Sequence, residues 1–323
     1  MLEYSLPNFE PAEIIRPLGR PLPESVRDRM KAYYVQNGQT RLRVTFAHAA
    51  QQDPRGTFII SPGRTEFSEK YFDIMGEFLT RGFSVICIDP RGQGLSDRLL
   101  DDPLKSYVED FQDYADDIAQ VISKLSPILP KPHIIFGHSM GGCIALHGAL
   151  SGALSPAAMI CSAPMLGLYD IDTAPIKLFM RIFSKFGLKK NRIPFQASRG
   201  GLPLPLKGNK LTSDATRYNH WASYFQTEPR LRVNDITFGW VRAALKSIDY
   251  VNNNAKHLKT PTLIFAAGAD PIVTPRSNES FAKSAGADYF CIPGALHELY
   301  MEQDIHRNIF LGKIDAYLKA QGL

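Results

Sequence analysis

The stretch His133-Ile134-Ile135-Phe136-Gly137-His138-Ser139-Met140-Gly141-Gly142 decides the fold, and it is followed by the small and apolar Cys143, Ile144, Ala145, Leu146, Ala149 and Leu150. An apolar run with β-branched residues that ends in Gly-x-Ser-x-Gly and passes into a small-residue segment reads as strand, sharp turn and helix, a nucleophile elbow. A serine in a strained turn needs neighbours without β-carbons, because strand and helix would otherwise collide there. The turn lifts the Ser139 hydroxyl clear of the sheet edge, and the helix N-terminus faces any negative charge that develops beside it. Ser139 is therefore the candidate nucleophile.

On either side of the elbow, Thr57–Ser61, Phe83–Ile88, Ala157–Ser162, Thr262–Ala266 and Asp288–Ile292 read as buried strands. Helices are expected at Phe67–Arg81, Val108–Lys124, Thr237–Leu245 and Asp304–Leu318. Asn37-Gly38, whose residue types favour positive φ in a tight turn, joins Tyr33–Gln36 to Arg41–Phe46 as a hairpin. Apolar strands separated by helices give an α/β fold with a mostly parallel central sheet covered on both faces. The alternation stops at Ala163-Pro164 and resumes at Pro261. The chain is accordingly divided into a proline-rich lead-in (1–30), a first core part (31–164), an inserted lid or cap (165–236) and a second core part (237–323).

A chain of 323 residues can bury one large core with an insertion, and 44% apolar with 21% charged residues is ordinary for a soluble globular protein. The first twenty residues carry Glu3, Glu10 and Glu13 and no apolar segment, so a signal peptide is not expected, and no run is apolar for long enough to span a bilayer. The four cysteines, Cys87, Cys143, Cys161 and Cys291, lie in apolar surroundings, as reduced core residues of a cytoplasmic protein do. The net charge of +5 is unevenly placed: between Met165 and Ile236 twelve cations face five anions, a local +7 that leaves −2 for the rest. That points to a localised anionic partner.

Reacting groups in an open parallel sheet collect at the carboxyl ends of the strands. Two such ends follow the insertion, Ala267-Gly268-Ala269-Asp270 and Gly294-Ala295-Leu296-His297. Ser139, Asp270 and His297 then form a candidate triad: His297 takes and returns the serine proton, and Asp270 holds the imidazole tautomer and stabilises the imidazolium. Asp249 and Asp304 are competing acids, but neither directly follows a strand. The oxyanion hole is expected from the backbone N–H of Met140 and a second N–H in Gly63-Arg64-Thr65, placed at Arg64. Only the main chain is needed there, so the Arg64 side chain is left to pair, with Glu66 as the candidate. Other motifs fail. His297-Glu298 begins like a metalloprotease helix, but Met301 stands where the second histidine is required, and Gly92-Gln93-Gly94 lacks the third glycine of a dinucleotide loop. No metal or cofactor is expected. Arg91, Gly92, Gly94 and Ser96 are expected to shape the layer beneath the site.

With these residues placed, the chain resembles α/β-hydrolases of the lysophospholipase L2 and monoacylglycerol lipase-like group. The resemblance covers about Tyr33 to Leu318 and rests on Pro62-Gly63-Arg64-Thr65-Glu66, Asp89-Pro90-Arg91-Gly92-Gln93-Gly94-Leu95-Ser96, Gly137-His138-Ser139-Met140-Gly141-Gly142, Ser162-Ala163-Pro164-Met165 and Gly294-Ala295-Leu296-His297-Glu298. Monoacylglycerol lipases usually open the oxyanion loop with His-Gly, and Pro62-Gly63 stands there instead, which favours the lysophospholipase side. The resemblance implies hydrolysis of a single-chain acyl ester.

The insertion points toward lipid independently. Lys177, Arg181, Lys185 and Lys189 recur every four residues, with Ile176, Phe179, Ile182, Phe183 and Phe186 on the other side. A helix with cations beside an aromatic face suits an anionic membrane surface, which makes peripheral contact with the inner face of the membrane an expectation. Substrate contacts are expected from Phe179, Phe183, Arg217 and Tyr224, with Arg230 and Arg232 as further partners for a lipid phosphate. Two other classes stand beside this reading: a proline-releasing serine aminopeptidase, and a binding protein on a hydrolase scaffold, against which the complete triad argues. Nucleic acid is not expected, because the basic segment carries no recognisable nucleic-acid module.

Overall fold

The computed structural model describes residues 9–16, 26, 28–169, 175, 187–194 and 200–323. A nine-stranded sheet runs in the order β1-β2-β3-β5-β4-β7-β8-β10-β11. Its strands are β1 (Glu10–Pro11), β2 (Lys31–Asn37), β3 (Thr40–Ala47), β4 (Thr57–Ser61), β5 (Ser84–Ile88), β7 (His133–His138), β8 (Ala158–Ser162), β10 (Thr262–Ala267) and β11 (Asp288–Ile292). A separate parallel pair joins β6 (Lys105–Ser106) to β9 (Asp235–Ile236). The β1–β2, β2–β3 and β3–β5 pairs are antiparallel, and every pair from β5 to β11 is parallel. The elbow strand β7 sits between β4 and β8, in registers that place Ser61 beside Gly137 and His138 beside Ser162.

Alternation along the strands sorts the core into two layers. Ile59 and Ile135 face the layer built with α2 (Gln112–Leu125), α3 (Met140–Ser151) and α5 (Phe238–Asn254). Phe58, Ile60, Ile134 and Phe136 face the layer built with α1 (Phe72–Thr80) and α7 (Asp304–Ala320). Both faces are buried, so the inner strands need no polar side, and their unbroken apolar runs follow.

The expected strands and hairpin agree with the structure to within a residue or two. The helices differ more. The segment expected as one helix over Phe67–Arg81 begins as a 3-10 turn, Ser68–Tyr71, before α1. All four residues of that turn are buried, and their side chains reach polar partners, Ser68 on Asp89, Glu69 on Arg43, and Lys70 and Tyr71 on Glu66, a constraint that periodicity does not register. The helix expected over Val108–Lys124 starts only at Gln112. The one expected at Thr237–Leu245 continues to Asn254, because Ile248 and Val251 extend its buried stripe. Two helices were not anticipated: α4 (Ala215–Thr227), capped by Asp214, and α6 (Pro275–Ala285). The ends of α6 follow capping chemistry: the Thr274 hydroxyl accepts from Ser277 N–H, proline stands at the first turn, and Gly286 closes it with φ 64°. The lead-in is not merely extended, since Glu10–Pro11 adds an edge strand on β2. Between β8 and β9, α4 packs Tyr224 and Phe225 edge-on against Phe67 beside the loop after β4. Among the described residues no helix is long and apolar enough to cross a membrane. The stripe of Lys177, Arg181 and Lys185, and Phe179 and Phe183, lie outside the described residues.

Candidate active site

Ser139 stands between β7 and α3 with φ 50° and ψ −116°, a conformation that L-residues enter at a cost and that the surroundings must hold. They do so through the main chain: Ser139 N–H donates to the Ser162 carbonyl at 3.0 Å, and its own carbonyl accepts from Cys143 and Met165 N–H at 3.1 and 2.9 Å. The glycines flanking the serine are dictated by approach. A β-carbon on Gly141 would lie 1.8 Å from the Ser61 carbonyl oxygen, and one on Gly137 would lie 2.7 Å from the Gly141 carbonyl oxygen. The first turn of α3 thus rests directly on the chain leading into Gly63-Arg64-Thr65.

His297 and Asp270 meet as the spacing implied. His297 Nδ1 lies 2.6 Å from Asp270 Oδ2, and Asp270 Oδ1 accepts from the N–H groups of Ile272 and Val273 at 2.8 and 3.0 Å. Both side chains are buried. Burial works against the His297 imidazolium, yet the charge and hydrogen bond of Asp270, aided by Glu298 and Glu66, carry its pKa above the ordinary histidine value. The His297 ring packs 4.8 Å from the ring of His138, the residue before Ser139. His138 Nδ1 is 3.1 Å from the Ser162 carbonyl, and burial holds its pKa down to about 3, so it stays neutral.

The loop after β4 is clamped on both sides. Gly63 N–H donates to Glu66 Oε2 at 2.6 Å, and Thr65 N–H donates to Gln93 Oε1 at 3.0 Å, while Gln93 Nε2 returns a bond to the Gly63 carbonyl. The N–H between them, that of Arg64, meets no acceptor among the described residues. Met140 is the first residue of α3, so its N–H has no acceptor within the helix.

Arg64 does not pair with Glu66. Its Nη1 donates to the Asn234 carbonyl at 3.2 Å and to Ser106 Oγ at 3.4 Å, and its guanidinium lies 5.5 Å from the Trp240 ring centre. Glu66 is claimed elsewhere, by Gly63 N–H, by the Tyr71 hydroxyl and by Lys70 Nζ at 2.8 Å. Lys70 Nζ also donates to Glu298 at 2.5 Å, so one buried ammonium joins the loop of Gly63 to the residue after His297. Glu66, His138 and Glu298 bring ligand-type atoms within 4.8 Å of one another, and the cation between the two carboxylates is the Lys70 ammonium. Burial raises the Glu298 carboxyl, whereas the Lys70 ammonium and the Tyr71 hydroxyl hold Glu66 low against burial. The sequence reading missed Lys70, Tyr71 and Glu298 here; the four-residue spacing of Glu66 and Lys70 was the one available signal.

The layer beneath the site is ionic too. Arg91 pairs with Asp117 at 2.6 and 2.7 Å, and Ser96 Oγ accepts from Arg43 N–H and donates to the Asp89 carbonyl. The arginines expected to meet substrate are engaged by the protein. Arg217 bonds Asp214 and Asp304, both at 2.6 Å, and the Glu302 carbonyl. Arg230 pairs with Glu13 and Glu228, and Arg232 donates to the Phe225 carbonyl. Tyr224 is buried against Phe67. Cys143, in α3, lies 3.4 Å from Ser247 Oγ, and burial pushes its thiol up to about 12, which leaves it unreactive.

With this geometry in place, the sequence profile of the family described as Serine aminopeptidase, S33 matches residues 52–304. The chain belongs to this family. Among proteins of known sequence, Lysophospholipase L2 of Escherichia coli (strain K12) is 29% identical over 310 residues, spanning 91% of this chain and 88% of that protein. Monoacylglycerol lipase of Mycolicibacterium smegmatis is 24% identical, over 78% of this chain and 84% of that one. Two solved structures share the fold. A soluble variant of monoglyceride lipase from Saccharomyces cerevisiae, in complex with a substrate analog, superposes with a TM-score of 0.71 at 20% identity, covering 96% of this chain and 99% of that one. A thermostable carboxyl esterase from Bacillus coagulans, in complex with glycerol, gives 0.73 at 16% identity over 91% and 99%. The protein is a serine hydrolase with the α/β-hydrolase fold.

Proposed function

We propose that the protein hydrolyses the acyl ester of a single-chain lipid, a lysophospholipid, through an acyl-enzyme on Ser139. The observation that carries the reading is the 2.6 Å contact of His297 with Asp270, on loops beside the elbow that holds Ser139. In this reading Ser139 Oγ attacks the ester carbonyl carbon while His297 Nε2 takes its proton. The Arg64 and Met140 N–H groups receive the developing oxyanion. His297 passes the proton to the departing glycerol oxygen, then removes one from the water that cleaves the acyl-enzyme. Asp270 keeps Nδ1 protonated and steadies the imidazolium. The insertion 165–236 is read as the lid over the acyl chain. Support for a lipid ester comes from the lysophospholipase and lipase relatives, and for a lysophospholipid from Pro62-Gly63-Arg64 at the head of the oxyanion loop.

The test is fatty-acid release from a lysophospholipid and a monoacylglycerol of matched chain, with a proline-terminated arylamide in parallel, for the wild type and Ser139→Ala. Release chiefly from the lysophospholipid, lost in the variant, is the expected result. Preference for monoacylglycerol keeps the triad and replaces the substrate, preference for the arylamide turns the reading to a peptidase, and activity surviving in Ser139→Ala removes the mechanism.

A further inference from the structure

Arg64, like Arg98 and Arg232, meets only neutral oxygens among the described residues, and of the three it alone lies in the loop after β4 beside the elbow. Arg43, Arg91, Arg192, Arg217 and Arg230 each have a carboxylate within 3 Å. Among the described residues no carboxylate comes within ion-pair distance of the Arg64 guanidinium. The two acids whose charge it feels are already engaged, Asp235 by Arg192 at 2.9 Å and Glu66 by Lys70. Nη1 reaches two neutral oxygens at long range, while Nε and Nη2 meet no acceptor among the described residues, and the residue is half-buried. A half-buried guanidinium without a counter-charge is costly, and burial pushes its pKa down to about 10. Such a group is stabilised by an anion, and its fork matches phosphate oxygens bidentately.

Its position supplies the rest of the argument. The main-chain N–H assigned above to the ester carbonyl and the guanidinium belong to the same residue, and the guanidinium lies against Ser106, Asn234 and the Trp240 ring. In a lysophospholipid the ester and the phosphate are separated by the glycerol backbone, and a monoacylglycerol has no anion there. Resting on the lysophospholipid reading above, we infer that the Arg64 guanidinium is the headgroup subsite, receiving the substrate phosphate while its own N–H holds the ester oxygen. Of the arginines the sequence offered for a lipid phosphate, Arg217 and Arg230 are paired with carboxylates, which the Arg64 guanidinium is not.

The experiment compares kcat/KM for a lysophosphatidylethanolamine and the monoacylglycerol of the same chain, in the wild type, Arg64→Gln and Arg64→Lys. The lysophospholipid-to-monoacylglycerol ratio is expected to fall about tenfold to a hundredfold in Arg64→Gln, the worth of a hydrogen-bonded charge, with part of it recovered in Arg64→Lys. A ratio within twofold of wild type overturns the inference, even if both rates drop together, since a common loss reports a disturbed oxyanion loop. If Arg64→Gln does not fold, Arg64→Lys decides, because it keeps the charge and loses the fork: a threefold or greater fall in the ratio supports the subsite, and no fall overturns it. Hydrolysis of p-nitrophenyl butyrate, inhibited by glycerol 3-phosphate, separates this from the substrate reading. An enzyme that cleaves the butyrate but no lysophospholipid ends that reading, and the subsite then stands only if glycerol 3-phosphate inhibits the wild type at least tenfold more tightly than Arg64→Gln.

Discussion

His297 and Asp270 lie on loops after different strands, β11 and β10, yet His297 Nδ1 is 2.6 Å from Asp270 Oδ2. The pairing of β10 with β11 sets Ala267 beside Ile292, so the two loops leave the sheet side by side. Asp270 has no freedom to turn away, because its second oxygen is fixed by the N–H groups of Ile272 and Val273.

A base held this way titrates late. The raised His297 pKa means that the neutral, working form is lost as pH falls through a value above about 6.5, the unperturbed value for histidine. In Asp270→Asn the raising charge is gone and burial dominates, so the acidic limb of kcat/KM should move to lower pH while kcat drops by roughly 10³–10⁴. Ester turnover from pH 5 to 9 checks both, and an unmoved limb would show that Asp270 does not set the basicity of His297.

Gly141 offers a steric test. A β-carbon there meets main-chain oxygens of Ser61 and Pro62 at 1.8 and 2.6 Å, which no rotamer change relieves. Gly141→Ala should push the oxyanion loop from the elbow, with kcat reduced at least about a hundredfold, the scale of losing one oxyanion donor. Gly312→Ala is the contrast: it lies exposed on α7 with nothing near its β-carbon position, and should raise stability by about 0.5–1 kcal/mol. Thermal melts and ester turnover of both variants settle it; equal behaviour would contradict the packing account.

The central sheet and the positions of Ser139, Asp270 and His297 at its strand ends were readable because each is encoded locally. Apolar β-branched runs mark buried strands, and Ser139, Asp270 and His297 each follow one of them within a few positions. The ionic interior was not readable. Glu66, Glu69, Lys70 and Glu298 are residue types that ordinarily face water, and only partners brought from elsewhere in the chain make their burial tolerable. The same limit explains Arg217, whose charge invited a phosphate until the fold placed Asp214 and Asp304 against it. The α6 boundaries were written in Thr274-Pro275 and Gly286, but a helix with few apolar residues gives periodicity little to detect.

Glu66 gives a pH signature in stability rather than rate. Lys70 and Tyr71 lower its pKa despite burial, so the folded state binds its proton more weakly than the unfolded chain does. A depressed carboxyl contributes stability that is complete above the unfolded pKa and is lost as pH falls toward the folded one. Glu66→Gln should therefore be less stable than wild type at pH 7, with the gap closing as pH drops below about 4.5. Urea unfolding at pH 7 and pH 3.5 measures it, and a gap that widens in acid would reverse the sign of the argument.

Arg43 carries the strongest structural prediction. Its side chain is fully buried, with Nη1 and Nη2 on Glu69 at 2.7 and 2.6 Å and Nε on Asp89 at 2.8 Å. Asp89 in turn accepts from Ser68 and from Leu95 N–H, and Glu69 from Ile15 N–H, so this ion group ties β3, β5, the turn before α1 and the lead-in together. Arg43→Met leaves two carboxylates buried without a cation, and should cost about 3–5 kcal/mol. Neutralising the acids in the same protein, as Arg43→Met with Glu69→Gln and Asp89→Asn, should return part of that loss, because the penalty belongs to the stranded charges rather than to missing packing. Urea midpoints of the two variants distinguish these causes: if the triple variant is the less stable, the group acts through its hydrogen bonds and packing, and the charge argument fails.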